Sequence, residues 1–410
     1  MNENIIPVLI GADLNCYNIA RAFHERYGVK SYAFGRYILS AIKFSKIIKF
    51  TANPNIDDEK VMIEVLLDFA AAHKGRKLIL FGCTDYYATA IARCRDQLTD
   101  YIIPYPDATL QPMMLGKSEF YNLCDKYGIP YPATVILHEA VDEGALSEEA
   151  LGFPYPIIIK PSSSIEYWKY TFDGMKKIYS AKNPAEAVQI INRIYKHGYS
   201  EPMILQEMIT GGDSYMRVLT TFSDQRGKVR AVCLGHTLLE EHTPKGLGNH
   251  SAIITESASE FPLTDKIIKM LEDLGYTGYA NFDIKLNAGS TDDYRVFEIN
   301  MRQGRSNYYL TAAGLNVAAL ATEIYDDEGE DIHICDREIF WHHVPKSIVY
   351  KYTEDSELIR KARTLAKSKS SRSSLWYRYD FQLNPLRFLC VIEHLRRQHK
   401  KYKTYYPKKS

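Results

Sequence analysis

Apolar and polar residues alternate most sharply over residues 281–302, NFDIKLNAGSTDDYRVFEINMR. Residues 281–286 predict one strand, Asn287, Gly289, Ser290, Asp292 and Asp293 a polar turn, and residues 294–302 a second strand. Successive strand side chains point to opposite faces. Phe297, Ile299 and Met301 therefore share one face of the second strand, and Val296, Glu298, Asn300 and Arg302 share the other. Asp283 and Lys285 share a face of the first. The hairpin has an apolar side and a side bearing carboxylates, an amide and a guanidinium. Such oxygen ligands suit a hard cation such as Mg²⁺, which takes one or two carboxylates and completes its shell with phosphate oxygens and water. An arginine beside them suits a phosphoryl group or a developing oxyanion. An antiparallel strand with one solvated face gives the same pattern without a ligand, and a strand salt bridge accounts for Lys285.

Elsewhere the periodicity changes. An apolar run over residues 5–10 ends at Gly11, and Asp13 or Asn15 caps a helix to about Tyr27 with Ile19, Ala20, Phe23 and Tyr27 on one stripe. A strand over 29–34, a helix over 61–73, a strand over 77–81 and a helix from Asp85 to about Leu98 complete a βαβα alternation, which argues for an open parallel sheet. Gly11 and Gly82 end strands where such sheets bind ligands, and tight structural turns explain them equally well. There is no GxGxxG and hence no claim to a dinucleotide site. Further along come a helix over 118–127, a strand over 134–137, the strand 153–160 ending PIIIK, a loop opening Ser162-Ser163-Ser164, a return strand over 177–180 and a helix over 184–197. Strands over 203–209, 215–222 and 229–234 and a helix over 264–274 precede the hairpin, and an alanine-rich helix over 311–324 follows it. Arg217 and His236 are the polar residues of the paired strands most suited to face a cleft. Residues 366–374 read as a linker or exposed loop. Residues 385–403 combine an apolar stripe with dense positive charge, which fits either a surface-binding amphipathic helix or one docked on the body.

Length allows two or three domains. No apolar run reaches membrane-spanning length, and MNENIIPVLI lacks the basic region of a signal peptide, so a cytoplasmic protein is expected. The seven cysteines are scattered without a CxxC pair and read as reduced thiols. His342 and His343 read as surface histidines. Residues 341–410 hold 17 Lys/Arg and 5 Asp/Glu, whereas the first 340 hold 34 and 45. A basic tail on an acidic body suits an anionic ligand or an anionic membrane surface. No nucleic-acid module accompanies it.

Several residues now fall into order. Lys117 precedes a helix, Lys160 ends PIIIK, QEMI (206–209) is a strand end with Asp213 shortly after, and Asp283 is followed by Glu298-Ile299-Asn300-Met301-Arg302. This arrangement resembles the ATP-grasp ligase superfamily over about residues 116–324. KPSSSIEYWKYTFDGMKK, LGHTLLEEHTPKGLGN and FEINMRQGRSNYYLTAAGLN look like the D-aspartate ligase group, over nearly the whole chain. The resemblance implies an α/β protein: an N-terminal open parallel-sheet domain (1–112), a two-lobed α+β grasp fold with its small lobe and linker helix at 113–205 and its metal-bearing lobe at 206–330, and a basic C-terminal extension (331–410). It implies ATP and Mg²⁺, with Lys117, Lys160 and the serine loop Ser162, Ser163 and Ser164 on the phosphates. Gln206, Glu207 and Ile209 would then meet adenine through the backbone, Asp213 the ribose, and Asp283, Glu298 and Asn300 the metal. Arg302, with Arg305, would steady the acyl phosphate or tetrahedral intermediate, and Arg217, His236 and Ser306 are substrate candidates. Many relatives carry a glycine-rich loop where this chain has Ser162-Ser163-Ser164-Ile165-Glu166-Tyr167-Trp168. The implied reaction joins the side-chain carboxylate of D-aspartate to the lysine ε-amine of a UDP-MurNAc peptide, at the inner face of the membrane if the tail binds there. A ligase using another small amino acid or making a dipeptide, and a nucleotide-binding scaffold without turnover, are the alternatives.

Overall fold

The structure, a computed structural model, describes residues 4–162, 164–167, 169–244 and 246–406. By internal contacts the chain divides into two units, Met1–Ile129 with Gly212–Ile284 and Glu298–Ser410, and Pro130–Gly211 with Lys285–Phe297.

The first unit opens with a parallel sheet of β1 (Ile5–Ile10), β2 (Ser31–Gly35), β3 (Ile48–Ala52), β4 (Lys77–Gly82) and β5 (Tyr101–Ile102), in the order β3-β2-β1-β4-β5. All six residues of β1 are buried, as a central strand covered on both faces requires. Helices Leu14–Tyr27, Glu59–Ala72 and Asp85–Arg93 make the crossovers, each capped by a side chain: Asp13, Asp58 and Thr84. The third is shorter than its apolar stripe suggests, because Cys94 leaves helical geometry and a 3-10 turn, Arg95–Gln97, follows.

The second unit holds an antiparallel sheet of β6 (Thr134–Leu137), β7 (Ile157–Pro161), β8 (Tyr179–Ala181) and β9 (Met203–Glu207), in the order β6-β9-β7-β8. Helix Pro184–Lys196 buries Ala187, Ile191 and Ile194 in the same core as Ile157, Ile159 and Leu205. Tyr167, from the helical turn Ser164–Tyr167, is buried there, with its hydroxyl 2.7 Å from that of Tyr179.

The chain then builds the large sheet. Its strands are β10 (Met216–Ser223), β11 (Val229–Glu240), β12 (His250–Glu256), β13 (Gly278–Leu286), β14 (Tyr294–Asn300), β15 (His333–Ile334), β16 (Phe340–His342) and β17 (Ser371–Ser373). Their order is β14-β13-β10-β11-β12-β16-β17, with β15 beside β11. The hairpin read from alternation is β13–β14. Its second strand stops at Asn300, so Arg302 lies beyond the pleat and alternation no longer sets its direction. The helix expected over 311–324 is broken: Tyr308–Ala313 ends at Gly314, whose φ of 112° is left-handed, and Asn316 caps a new turn, Val317–Ala319.

The C-terminal region departs most from expectation. Residues 366–374 are no linker, because Ser371–Ser373 pairs in parallel with Phe340–His342. His342 and His343 are buried, not on the surface. His342 Nδ1 lies 2.7 Å from the Val344 carbonyl, and burial pushes its pKa down to about 4. Helix Pro385–Tyr405 is docked on the first unit through a fully buried pair, Arg387 Nε to Asp380 at 2.8 Å, while Arg396 and Arg397 stay exposed on Glu393. No helix among the described residues is long and apolar enough to cross a membrane.

Candidate active site

In the first unit, Asp283 on β13 and Glu298 and Asn300 on β14 form one polar edge. Asn300 Nδ2 donates to Asp283 Oδ2 at 3.2 Å. Lys117, the first residue of helix Lys117–Tyr127, places Nζ 2.9 Å from Glu298 Oε2. Burial opposes the charge on Lys117, but Glu298 and Asp283 outweigh it and raise its pKa. His250 Nε2 lies 3.6 Å from Asp283 Oδ1, and its Nδ1 lies 3.4 Å from Glu240 Oε1. Among the described residues no group of three or more His, Cys, Asp or Glu converges as a metal cage. The donors present are two carboxylates and an amide oxygen, which fits Mg²⁺, an ion that leaves most of its shell to water and phosphate.

The loop after β14 is fixed by the parallel sheet of the same unit. Arg302 makes a forked pair with Asp85, Nε–Oδ1 at 2.6 Å and Nη2–Oδ2 at 2.9 Å. Gln303 Nε2 donates to the Gly82 carbonyl at 3.1 Å, Asn18 to the Arg305 carbonyl at 3.0 Å, and Asn307 to Asn15 Oδ1 at 2.7 Å. Gly304 allows this path, since a Cβ there would come within 2.6 Å of Asn281 Oδ1. Arg305 Nη1 reaches Glu241 Oε2 at 3.1 Å, whereas Ser306 is buried with its carbonyl on the Tyr309 amide.

Two expected contributors have protein partners. Arg217 and His236, opposite each other on β10 and β11, both hold Glu256, at 2.9 and 2.6 Å. Burial would raise the Glu256 carboxyl, but His236 and Arg217 bring it down to about 2. Both residues are buried, at 7% and 8% exposure, with Glu256 as their shared partner. Asp213 accepts from His242 Nε2 at 2.9 Å and from the Glu240 amide at 2.9 Å.

The second unit holds the other candidates. Lys160 Nζ donates to Gln206 Oε1 at 3.0 Å, and Gln206 Nε2 to Thr134 Oγ1 at 2.9 Å. The Glu207 amide is taken by the Ala133 carbonyl at 2.8 Å, and the strand ends there, with Ile209 buried just beyond. Ser162 is exposed, and its amide donates to Pro202 at 3.0 Å. Ser163 and the Ser164 side chain lie outside the described residues.

Sequence reasoning missed Asp85, Glu240, Glu241, His242 and His250. The run Glu240-Glu241-His242 at a strand end was the available signal. Three adjacent ionisable residues leaving an apolar strand seldom lack partners.

No protein-family model matches the chain. A D-aspartate ligase of Enterococcus faecium (strain Aus0004) is 36% identical over 389 residues, covering 92% of each chain. The chain belongs to the D-aspartate ligase family. Solved structures agree on the fold. The biotin carboxylase domain of Hydrogenobacter thermophilus 2-oxoglutarate carboxylase, solved with MgADP, ADP and bicarbonate, superposes with a TM-score of 0.60 at 14% identity, covering 82% of this chain and 73% of that one. An L-amino acid ligase from Bacillus licheniformis gives 0.54 at 16% identity, with 83% and 80% covered. The ADP complex of N5-carboxyaminoimidazole ribonucleotide synthetase gives 0.56 at 13% identity, with 88% and 86% covered. The α/β ATP-grasp architecture expected from the sequence is therefore present, and the protein is a carboxylate–amine ligase of that fold.

Proposed function

We propose that the protein uses ATP to activate the side-chain carboxylate of D-aspartate and joins it to the lysine ε-amine of a UDP-MurNAc pentapeptide. The observation that carries this reading is the β13–β14 hairpin, where a carboxylate–amide edge with a lysine on it stands two residues from Arg302. The name of the Enterococcus relative supports the amino acid, and the MgADP bound to the biotin carboxylase supports the nucleotide and ion.

A carboxylate is a poor electrophile, so it must first gain a leaving group. An oxygen of the aspartate side chain bonds to the γ-phosphorus, the bond from that phosphorus to the bridging oxygen breaks, and ADP departs. Lys117 and Lys160 take up phosphate charge, Gln206 to Ile209 meet adenine, and Asp213 meets the ribose, exchanging part of its bond to His242. Asp283, Glu298 and Asn300 would hold Mg²⁺, which would supply charge neutralisation at the phosphoryl oxygens. The neutral ε-amine then attacks the acyl carbon while Arg302 donates to the oxyanion and Arg305 balances the neighbouring charge. Phosphate leaves with the electron pair of the acyl C–O bond, and the amine releases a proton.

The test is an ADP-release screen of D- and L-amino acids with and without the pentapeptide. Release is expected with D-aspartate and pentapeptide together. Release with free amino acids as acceptors would identify a dipeptide-forming ligase, and nucleotide binding without release under any pairing would identify a scaffold.

A further inference from the structure

A cavity of about 590 Å³ lies at the carboxyl end of the parallel sheet, with Asp13, Tyr37, Leu39, Asp57, Thr84 and Tyr86 among its walls. It opens where the strand order reverses between β1 and β4, the place at which open α/β sheets take ligands. Its volume suits a small molecule or one portion of a larger one. We propose that this cavity seats the acceptor, a chain ending in a primary amine, next to Arg302; the assignment rests on the acceptor class given above.

Charge, surface and position all support an amine. Arg36 lies 3.1 Å from Asp57, and Asp13, whose Oδ1 accepts from the Cys16 amide, is the other carboxylate among the walls. Burial pushes the Asp13 carboxyl up, against the pull of Arg305 and Arg302, so an arriving ammonium favours its charged form. Tyr37 and Tyr86 are 63% and 41% exposed, and Leu39 is exposed beside them, a surface suited to an aliphatic stem with a cationic end. The floor loops are also those that hold the arginine segment. Asp85, next to Thr84, carries Arg302, and Asn15, two residues after Asp13, holds Asn307.

The test compares two acceptors. Hydroxylamine traps the activated carboxylate without a long chain, whereas the pentapeptide needs the cavity. Asp13→Asn keeps a capping side chain, and Tyr37→Ala with Tyr86→Ala strips the wall. Each variant is expected to lower the ratio of pentapeptide to hydroxylamine turnover about tenfold, mainly through KM for the pentapeptide. An unchanged ratio overturns the cavity assignment. If the wild-type protein makes the hydroxamate but joins neither the pentapeptide nor Nα-acetyl-lysine, the acceptor class itself fails, and the cavity's ligand with it.

The strand end Glu240-Glu241-His242 carries a separate role for helix Pro385–Tyr405. Tyr402, buried on this helix, donates to the Glu240 carbonyl at 2.8 Å and anchors the two elements. Glu241, which holds Arg305, also accepts from Lys401 at 3.4 Å. His242, which holds Asp213, packs against the Tyr406 ring at 4.5 Å, and burial together with the nearby Asp213 carboxylate pushes the Tyr406 hydroxyl up. We infer that Lys401 and Tyr406 are positioning residues, the first for Arg305 and the second for Asp213.

Steady-state kinetics separates them. Lys401→Ala is expected to lower kcat about fivefold with little change in KM for ATP, and Lys401→Arg to restore it. Tyr406→Phe is expected to raise KM for ATP about fivefold with little change in kcat. Changes in kcat and KM that move together and track a lower Tm would reduce both residues to packing, and no change in either variant would overturn the inference.

Discussion

Two charged strand surfaces look alike as sequence and behave differently in the fold. On β10 and β11, Glu256 is gripped by Arg217 and His236, and its carboxylate is closed off by two partners. On β13 and β14, Glu298 has a side chain 47% exposed with Lys117 on one oxygen, and Asp283 accepts from the Asn281 and Asn300 amides with His250 3.6 Å away. A carboxylate gripped by an arginine and a histidine on neighbouring strands is a structural clamp, whereas a half-exposed carboxylate at a sheet edge can turn an oxygen toward a bound ion. The difference lies in the neighbours across the sheet, which alternation along one strand does not reveal.

The largest effect should come from breaking the open edge. Glu298→Ala is expected to cut ATP-dependent ligation by about a thousandfold or more while thermal unfolding shifts little. Near-normal turnover would remove the metal role. Arg302→Ala is expected to lower kcat by about 10²–10³, the loss typical of one oxyanion donor. A change confined to KM would place that arginine in ground-state binding instead.

The closed clamp should respond in stability. The Glu256 carboxyl sits near 2 in the fold against an ordinary 4.5, so it favours the folded state above pH 4.5 and loses that contribution as pH falls from 4.5 to about 2. Glu256→Gln is therefore expected to cost up to about 3 kcal/mol at neutral pH, with the gap to wild type closing over that acid range. Unfolding curves whose separation is independent of pH would contradict the clamp. The smallest effect is at Lys160, where Lys160→Ala is expected to weaken ATP binding about tenfold by calorimetry. Unchanged affinity would take that lysine out of the nucleotide site.

The hairpin was legible because period-two alternation survives wherever a strand has one dry face. The parallel sheet was legible because β1 and β4 are continuous apolar runs. Arg302 was legible as a residue but not as a direction, since the strand ends at Asn300 and the Asp85 pairing joins positions over 200 residues apart. His342 and His343 defeated the reading because burial of a histidine depends on the partners the fold supplies, here the Val344 carbonyl two residues on and Ser251 on β12. The basic tail left two readings open for a related reason: its net charge is a sum, and Arg387, which docks the helix on Asp380, is hidden within it.

Asp380 is a junction between the two ends of the chain. It accepts from Arg387, from the Tyr17 hydroxyl at 2.9 Å and from the Lys46 amide at 2.7 Å, while Val391 and Leu375 share a core with Ile19 and Phe23. Helix Leu14–Tyr27 therefore waits for a partner made 363 residues after Tyr17. While the chain is still being synthesised, one flank of the N-terminal sheet stays bare until residues 375–391 leave the ribosome. Such a surface calls on chaperones during that interval, and ribosomes stalled before Asp380 should carry nascent chains that are far more protease-sensitive than the released protein.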